Sequence, residues 1–200
     1  MNTPRIAFVL LVAALLGGCS GLRIVNSQVQ AISTLPAGTS IPQGARYRFE
    51  RLPSQQEHAG MERIESMAQA ALMQVGLARD DSAAQYSVLL GVRTDSFRGD
   101  AWGQPLIGPW WPGHPQFRLG TSGSMFAWST RWPPSTVYRR EISLLLRHLG
   151  TGQIVYETRA VSDSPWSDTE EVLAAVFQAA LQGFPNPPAG TRQVDIEIPR

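Results

Sequence analysis

The chain has 200 residues, a hydrophobic fraction of 43%, a single cysteine and nearly equal numbers of basic and acidic side chains, 17 against 16. The charge is nearly balanced, with no run of like charges and no basic stripe, which excludes the electrostatic footprint of a nucleic-acid-binding protein. Every basic residue is arginine, so phosphate loops, Schiff bases and Ser-x-x-Lys nucleophiles, all of which need lysine, are excluded as well.

The N-terminal segment has the features of a secretory leader. Arg5 precedes an apolar run over residues 6–16, which is too short to span the roughly 30 Å of bilayer hydrocarbon. The motif Leu16-Gly17-Gly18-Cys19 that follows resembles a bacterial lipoprotein signal. The resemblance implies cleavage before Cys19 and lipidation of its sulfur and amine, and two or more acyl chains give stable anchoring. The alternative is an ordinary signal in which the cysteine is incidental.

The residue after this cysteine bears on location. Ser20 stands where an aspartate would mark retention at the inner membrane, so the signal resembles that of lipoproteins sorted to the outer membrane, with the domain facing the periplasm. We expect a cleaved signal peptide over 1–18, a lipidated tether over 19–24 and a single domain over 25–198. With Cys19 modified, that domain contains no disulfide and depends on its own core.

The periodicity of apolar residues predicts the elements of the domain. Alternation with period two predicts strands over 24–34, 46–52, 86–92, 138–148, 154–161 and 194–198. Helical spacing predicts a helix over 60–75, ended by Gly76 in a left-handed cap with Leu77 reaching back to Leu72. A second helix follows a capping box formed by Ser167 and Glu170.

These elements predict an α+β fold. Two amphipathic helices each need a sheet face, and the hairpin makes much of the sheet antiparallel. We expect a two-layer sandwich of a mostly antiparallel sheet with two helices on one face and a long Gly/Pro/Trp-rich insert. Leu89 and Val155, which are apolar on the opposite face, leave a three-layer arrangement as the alternative.

The insert over residues 96–134 holds five of the six tryptophans together with many glycines and prolines, which prevents one regular element. Long loops in compact domains are usually functional or disordered. Tryptophan and arginine are the side chains that form binding hot spots, and aromatic rings also suit sugars and the membrane interface. The predicted contact residues for an envelope protein, a glycan or lipid headgroups are Trp110, Trp111, Trp128, Trp132, Arg118 and Arg131. The alternatives are that these rings cover the exposed sheet face or that the segment is disordered.

No residue set predicts a reaction. The three histidines are scattered, no spacing suits a metal, and Gly120-Thr121-Ser122-Gly123-Ser124 fails the nucleophile-elbow pattern because the last glycine is missing. His148 is expected to be a satisfied core or edge histidine. Asp80-Asp81 is expected to start a loop, and Glu170-Glu171 to favour a helix start. We expect no catalytic residue, no metal and no cofactor.

Several motifs of the domain resemble one known family. They are Tyr47-x-Phe49, Leu72-x-x-x-Gly76-Leu77, the strand 86–92, Leu144-x-Leu146, Thr151-Gly152-x-Ile154-Val155-Tyr156 and Phe184-Pro185-x-Pro187. Over roughly residues 25–190 the chain is similar to an envelope lipoprotein family known as domain of unknown function 4136, from which it departs at Ala84-Gln85 and His148. The resemblance implies the fold and the anchor and no catalytic residue.

The function expected from the sequence is that of an envelope lipoprotein. We expect a lipid-anchored, non-enzymatic binding or structural component that contacts the membrane through Cys19 and an envelope protein or the cell-wall layer through the insert. No nucleic acid is expected as a partner. The alternative is an envelope hydrolase or transferase with an unrecognised site.

Overall fold

A computed structural model describes residues 21–36, 39–57, 59–99 and 135–199 of the chain. Cys19 and residues 100–134 of the insert lie outside these ranges, so the lipid anchor and the predicted binding residues belong to parts of the chain that are not described. The elements within the described ranges are β1 (Leu22–Ser33), β2 (Ala45–Glu50), α1 (Pro53–Gln56), α2 (Met61–Gln74), β3 (Leu77–Arg79), β4 (Tyr86–Gly99), β5 (Ser135–His148), β6 (Ile154–Ser164), α3 (Thr169–Leu181) and β7 (Thr191–Pro199).

Seven strands form one mixed sheet in the order β3-β2-β4-β5-β6-β1-β7. β2 runs parallel to both β3 and β4, and the other neighbouring strands are antiparallel. The predicted fold class, a mostly antiparallel two-layer α+β sandwich with two helices, is therefore wrong: the described residues form a strand-rich, seven-stranded mixed sheet with three helices. Because α2 carries the chain from the end of β2 back to the start of β3, the strands on this side run in one direction. Because apolar residues alternate in the same way in parallel and antiparallel strands, the sequence pattern could not predict the parallel direction of these strands.

The two elements that the periodicity missed are short. β3 has three residues and α1 has four, and neither is long enough to show a period. β4 and β5 are each longer than predicted and enclose the insert, so residues 96–99, expected to belong to it, form the end of a strand. β1 begins at Leu22, inside the segment expected to be a tether.

Helix α2 begins after Gly60 and ends as its sequence predicts. Its buried side chains recur along one face and include Ala68, Ala71 and Leu72. Gly76 follows with φ +87°, and its N–H donates to the carbonyl of Met73 at 3.0 Å. The predicted left-handed cap at Gly76 is confirmed.

Helix α3 is almost entirely buried, but its start differs from the prediction. The residue that caps it is Asp168, and its side chain makes no capping hydrogen bond. The predicted capping box of Ser167 and Glu170 is wrong. Instead, Glu170 is paired with Arg63 on α2 at 2.8 Å, because α2 and α3 pack against each other and bring these side chains together.

The core lies between these helices and the inner face of the sheet. Its largest fully buried apolar side chains come from β2, β4, β5, β6, α2 and α3, and they include Tyr47, Tyr156, Phe177, Leu72, Leu90, Ile142, Leu144 and Leu146. The outer face carries cross-strand ion pairs, Arg139 with Asp163 at 2.6 Å and Arg159 with Glu141 at 2.8 Å. Of the apolar residues expected there, Leu89 is half-buried and Val155 is buried.

Candidate functional site

The registers of five neighbouring strands bring distant parts of the chain to one end of the sheet. One row of opposed residues crosses β4, β5, β6, β1 and β7, and its members are Arg93, Glu141, Val161, Gln28 and Gln193. From this row, six residues in the same direction along β4, β5, β1 and β7 lead to Gly99, Ser135, Leu22 and Pro199, which therefore lie at the same end of the sheet. We call this the insert end of the sheet, because β4 ends there before the insert, β5 begins there after it, and β1 also begins there.

Arg23 of β1 is the centre of a charged cluster at the insert end. Its guanidinium contacts Asp168 Oδ2 at 2.5 Å and Glu171 Oε2 at 2.7 Å, and it donates to the carbonyl of Pro199 at 3.3 Å. The same group lies 5.4 Å from the ring centroid of Trp166. These contacts tie the first strand of the domain to the start of α3 and to the end of β7.

Arg140 of β5 lies beneath this cluster and is completely buried. Its Nη1 donates to Ser164 Oγ at 2.9 Å and its Nη2 donates to the carbonyl of Trp166 at 2.7 Å, while its Nε has no hydrogen-bond partner among the described residues. The guanidinium also lies 5.5 Å from the ring centroid of Tyr138. Arg140 and Arg23 therefore hold the turn between β6 and α3 from two sides.

The electrostatics of the cluster follow from burial and pairing. Burial lowers the pKa of Arg140, and the negative charge of Asp168 opposes this effect. For Asp168, partial burial acts to raise the pKa, but hydrogen bonds, first that from Arg23, outweigh it and hold the pKa of the carboxyl below its ordinary value. Asp168 thus interacts with both arginines. It contacts Arg23 directly, and its negative charge acts on Arg140 without a direct contact.

A second group of charged side chains lies beside α2. Glu65 is only 3% exposed, and its carboxylate contacts Arg51 Nε at 2.6 Å and Arg79 Nη1 at 3.7 Å. The hydroxyl of Tyr47 is buried nearby and has no hydrogen-bond partner in the part of the chain that the structure describes, and burial raises the pKa of Tyr47 to about 12. A cleft of about 670 Å³ opens next to this group, lined by Arg51, Arg63 and residues 56–57 and 59–62.

The titratable residues singled out in the sequence serve turns. At the end of the sheet opposite the insert, the ring of His148 packs edge-on against Tyr86 at 5.2 Å, and its Nδ1 accepts from the N–H of Thr151 at 3.2 Å. Asp80 accepts from the hydroxyl and the N–H of Ser82, as expected of a residue that starts a loop. Its neighbour Asp81 pairs with Arg79 at 3.3 Å. These groups are not brought together with one another.

Within the described ranges, no group of three histidine, cysteine or acidic side chains is arranged to hold a metal ion. Nor is any helix of those ranges both long and apolar enough to cross a bilayer.

The predicted site residues and the observed cluster differ. Cys19 and all six predicted contact residues of the insert, Trp110, Trp111, Trp128, Trp132, Arg118 and Arg131, lie outside the described residues. Sequence reasoning missed Arg23, Arg140 and Trp166. A signal existed for Arg140, because it is in phase with Tyr138 and Ile142 and so belongs to the inner face of its strand. Trp166 is the one tryptophan outside the insert, and nothing in its local sequence shows that an arginine from β1 covers it.

The fold and this cluster define a small domain with a mixed sheet, in which the first strand and a long insert share one end. The chain belongs to the family described as domain of unknown function (DUF4136), whose sequence profile matches residues 36–186. This confirms the resemblance predicted from the motifs.

Two of the solved structures that match the chain have little sequence in common with it. A PDZ domain protein from Parabacteroides distasonis is 12% identical, with a TM-score of 0.52; the match covers 92% of this chain but only 41% of that longer protein. The PelC dodecamer from Paraburkholderia phytofirmans is 13% identical, with a TM-score of 0.44, over 80% of this chain and 99% of that one. No curated protein matches the chain. At such low identity, the likeness to the PDZ domain protein shows the fold alone.

Proposed function

We propose that this protein is a lipid-anchored component of the bacterial cell envelope without enzymatic activity. In this proposal Cys19 carries the lipid and holds the domain at the outer membrane, facing the periplasm. The insert contacts an envelope protein or the cell-wall layer close to that membrane. The observation that carries the proposal is the register of the sheet, because Leu22 and both ends of the insert lie at its insert end. An anchor three residues before Leu22 therefore keeps the insert near the membrane.

The charged group beside α2 is consistent with a structural role. A carboxyl group that acts as a general acid or base must be free to exchange a proton with a substrate. Glu65 is instead buried and shared between Arg51 and Arg79. This arrangement stabilises the packing of α2 on the sheet and favours a binding protein over the alternative of a hydrolase or transferase.

Replacement of the cysteine tests the anchor. We expect Cys19→Ser to prevent lipidation, so that the protein leaves the membrane fraction and loses the mass of the diacylglyceryl and acyl groups in mass spectrometry. Ser20→Ala is the matched control, because it changes the adjacent residue and leaves the sulfur in place. Membrane recovery of the Cys19→Ser protein at the wild-type level would contradict the proposal. Ser20→Asp should move the lipidated protein to the inner membrane fraction if the outer-membrane assignment holds.

Replacement of two adjacent tryptophans tests the binding role of the insert. We expect the double variant Trp110→Ala and Trp111→Ala to lose crosslinked partners in intact cells while its melting temperature stays at the wild-type value. Trp102→Ala, in the same insert but outside the predicted contact set, is the control and should retain the partners. A lowered melting temperature with the crosslinks intact would show that the rings cover the domain itself.

A further inference from the structure

Two large apolar side chains at the start of β1 face solvent. Leu22 is 59% exposed and Ile24 is 56% exposed. Both lie on the outer face of the strand, since the residues that alternate with them, Arg23 and Val25, face the helices. Single exposed apolar residues are common on proteins, but here Leu22 stands directly opposite Pro199 of β7, which is also exposed. We call Leu22, Ile24 and Pro199 the β1 corner.

Polar residues bound the β1 corner on the side toward the middle of the sheet. The next outward residue of β1 is Asn26, which donates to Asp195 Oδ1 at 2.6 Å. Glu197 stands opposite Ile24 and is exposed. Arg23, the basic residue within the corner's sequence, is held by Asp168 and Glu171 on the other face. Among the described residues, the corner is therefore apolar, with the Glu197 carboxylate beside it and no free positive charge.

The position of Leu22 in the chain limits what can lie against this corner. Leu22 is three residues after Cys19, and an extended chain spans at most about 3.6 Å per residue, so the two residues are within roughly 11 Å of each other. The headgroup layer on each side of a bilayer is about 5–7 Å thick. A lipid on Cys19 therefore holds the start of β1 within or just above that layer.

From this geometry we propose that the β1 corner rests in the headgroup layer of the membrane that holds the lipid, so that the domain lies directly against the bilayer. The inference rests on the proposed anchoring at Cys19. Because the corner is apolar, its contact depends on burial of Leu22, Ile24 and Pro199 among headgroups and upper acyl chains. The contact therefore requires no anionic lipid and should persist at high salt.

The strand itself supplies a matched pair of reporter positions. Ile24 and Ile32 have nearly equal exposure, 56% and 54%, and both lie on the outer face of β1. They are separated by about 26 Å along the strand at roughly 3.3 Å per residue. Because lipidation blocks the only natural cysteine, Ile24→Cys and Ile32→Cys each provide one free thiol for a fluorescent label in the full, lipidated protein.

The experiment measures the surroundings of each label in vesicles of phosphatidylethanolamine and phosphatidylglycerol. We expect spin-labelled lipid headgroups to quench the label at position 24 severalfold more than the label at position 32, and aqueous iodide to show the reverse order. The difference should persist at high salt and without phosphatidylglycerol. Leu22→Cys is the second reporter if the label at position 24 perturbs folding, and it should behave in the same way.

The possible outcomes separate this inference from the proposed function. Mass spectrometry of the same preparation shows whether Cys19 carries lipid, and absence of lipid overturns both. Lipid on Cys19 with equal quenching at positions 24 and 32 overturns the membrane contact and leaves the anchor intact. Protection of position 24 from iodide in the soluble protein with Cys19→Ser would also overturn it, because the chain itself would then cover the corner.

Discussion

Arg140 is the residue with the most unusual environment in the described part of the chain. A buried charge is costly unless hydrogen bonds compensate. Two of its nitrogens donate, to Ser164 and to the carbonyl of Trp166, and its Nε does not. Burial lowers its pKa, but guanidinium groups stay protonated in proteins. Arg140 therefore remains a cation that holds the turn before α3.

Loss of this side chain should destabilise the fold. We expect Arg140→Ala to lower the free energy of unfolding by about 2–3 kcal/mol, since the carbonyl of Trp166 and the hydroxyl of Ser164 lose their donor and a cavity forms. Chemical denaturation measures this change.

The adjacent residue is the control for this prediction. Arg139 is about half exposed on the outer face and pairs with Asp163, so Arg139→Ala should cost about 1 kcal/mol or less. Equal losses in the two variants would contradict the assigned roles.

The cluster around Asp168 predicts a loss of stability in acid. The pKa of Asp168 is lowered in the fold, and hydrogen bonding to Arg159 likewise lowers the pKa of Glu141. A carboxyl with a lowered folded pKa stabilises the fold above its unfolded pKa of about 4, and this stability is lost as the pH falls through the folded value. We expect the free energy of unfolding to decrease below about pH 5, as measured by denaturation at several pH values.

Two variants assign this acid sensitivity to its sources. Asp168→Asn should reduce the slope of stability against pH in the acid range. Glu141→Gln should reduce the slope independently, because the two carboxylates have different arginine partners. A slope for Asp168→Asn that is parallel to the wild-type slope would refute the role of Asp168.

The turn between α2 and β3 shows how an element boundary depends on one glycine. Gly76 has φ +87°, which an L side chain adopts only with strain, and a Cβ there would collide with the end of the Gln43 side chain. Its carbonyl also accepts from the N–H of Gly44 at 2.7 Å. The cap therefore fixes where β3 begins, and its hydrogen bond with Gly44 holds the segment before β2 against the end of α2.

Substitution at this cap should cost the left-handed strain, because Gln43 is exposed and the end of its side chain can move aside. We expect Gly76→Ala to lower the free energy of unfolding by about 1–2 kcal/mol. Gly44→Ala is the comparison, because φ is +77° there and a Cβ would meet nothing within 4 Å, so it should lose a similar amount. Adding Gln43→Ala to Gly76→Ala should leave the loss unchanged in urea unfolding. A smaller loss in the double variant would show that Gln43 resists displacement.

The elements divide into those that a local pattern could predict and those that it could not. Helix α2, its cap at Gly76 and the β5–β6 hairpin have strong periodicity and turn residues, so their positions were predictable. The capping box at Ser167 failed because the acids of α3 find arginines on other elements, Arg63 and Arg23. β3 failed because its three residues become a strand only through pairing with β2.

At the scale of the whole molecule, the sheet order determines which segments share a surface. β1 lies between β6 and β7, with only β7 between it and the edge of the sheet, so the start of the domain and the end of the chain meet at Leu22 and Pro199. The sequence predicted the anchor and the insert separately. It did not predict that β1 starts at the end of the sheet where β4 ends and β5 begins, because that depends on long-range register. The Arg23 cluster was unpredictable for the same reason.

The β4–β5 ladder predicts that the domain folds without its insert. Its pairing continues from Tyr86 and His148 to Gly99 and Ser135, so an Asn-Gly turn that replaces residues 100–134 can close the hairpin. Shortening the loop to two residues also removes roughly 2 kcal/mol of closure entropy. We expect this variant to be at least as stable as the full chain in thermal and chemical unfolding.

The same variant separates the roles open to the insert. With lipid still on Cys19, it should remain in the membrane fraction but form none of the crosslinks that depend on Trp110 and Trp111. A loss of several kcal/mol in the free energy of unfolding would show instead that the insert packs on the domain, since a segment that only contacts a partner contributes nothing to the stability of the isolated chain. If the insert binds a partner, the deletion abolishes partner capture and does not lower the stability of the domain. If the insert packs on the domain, the deletion lowers that stability.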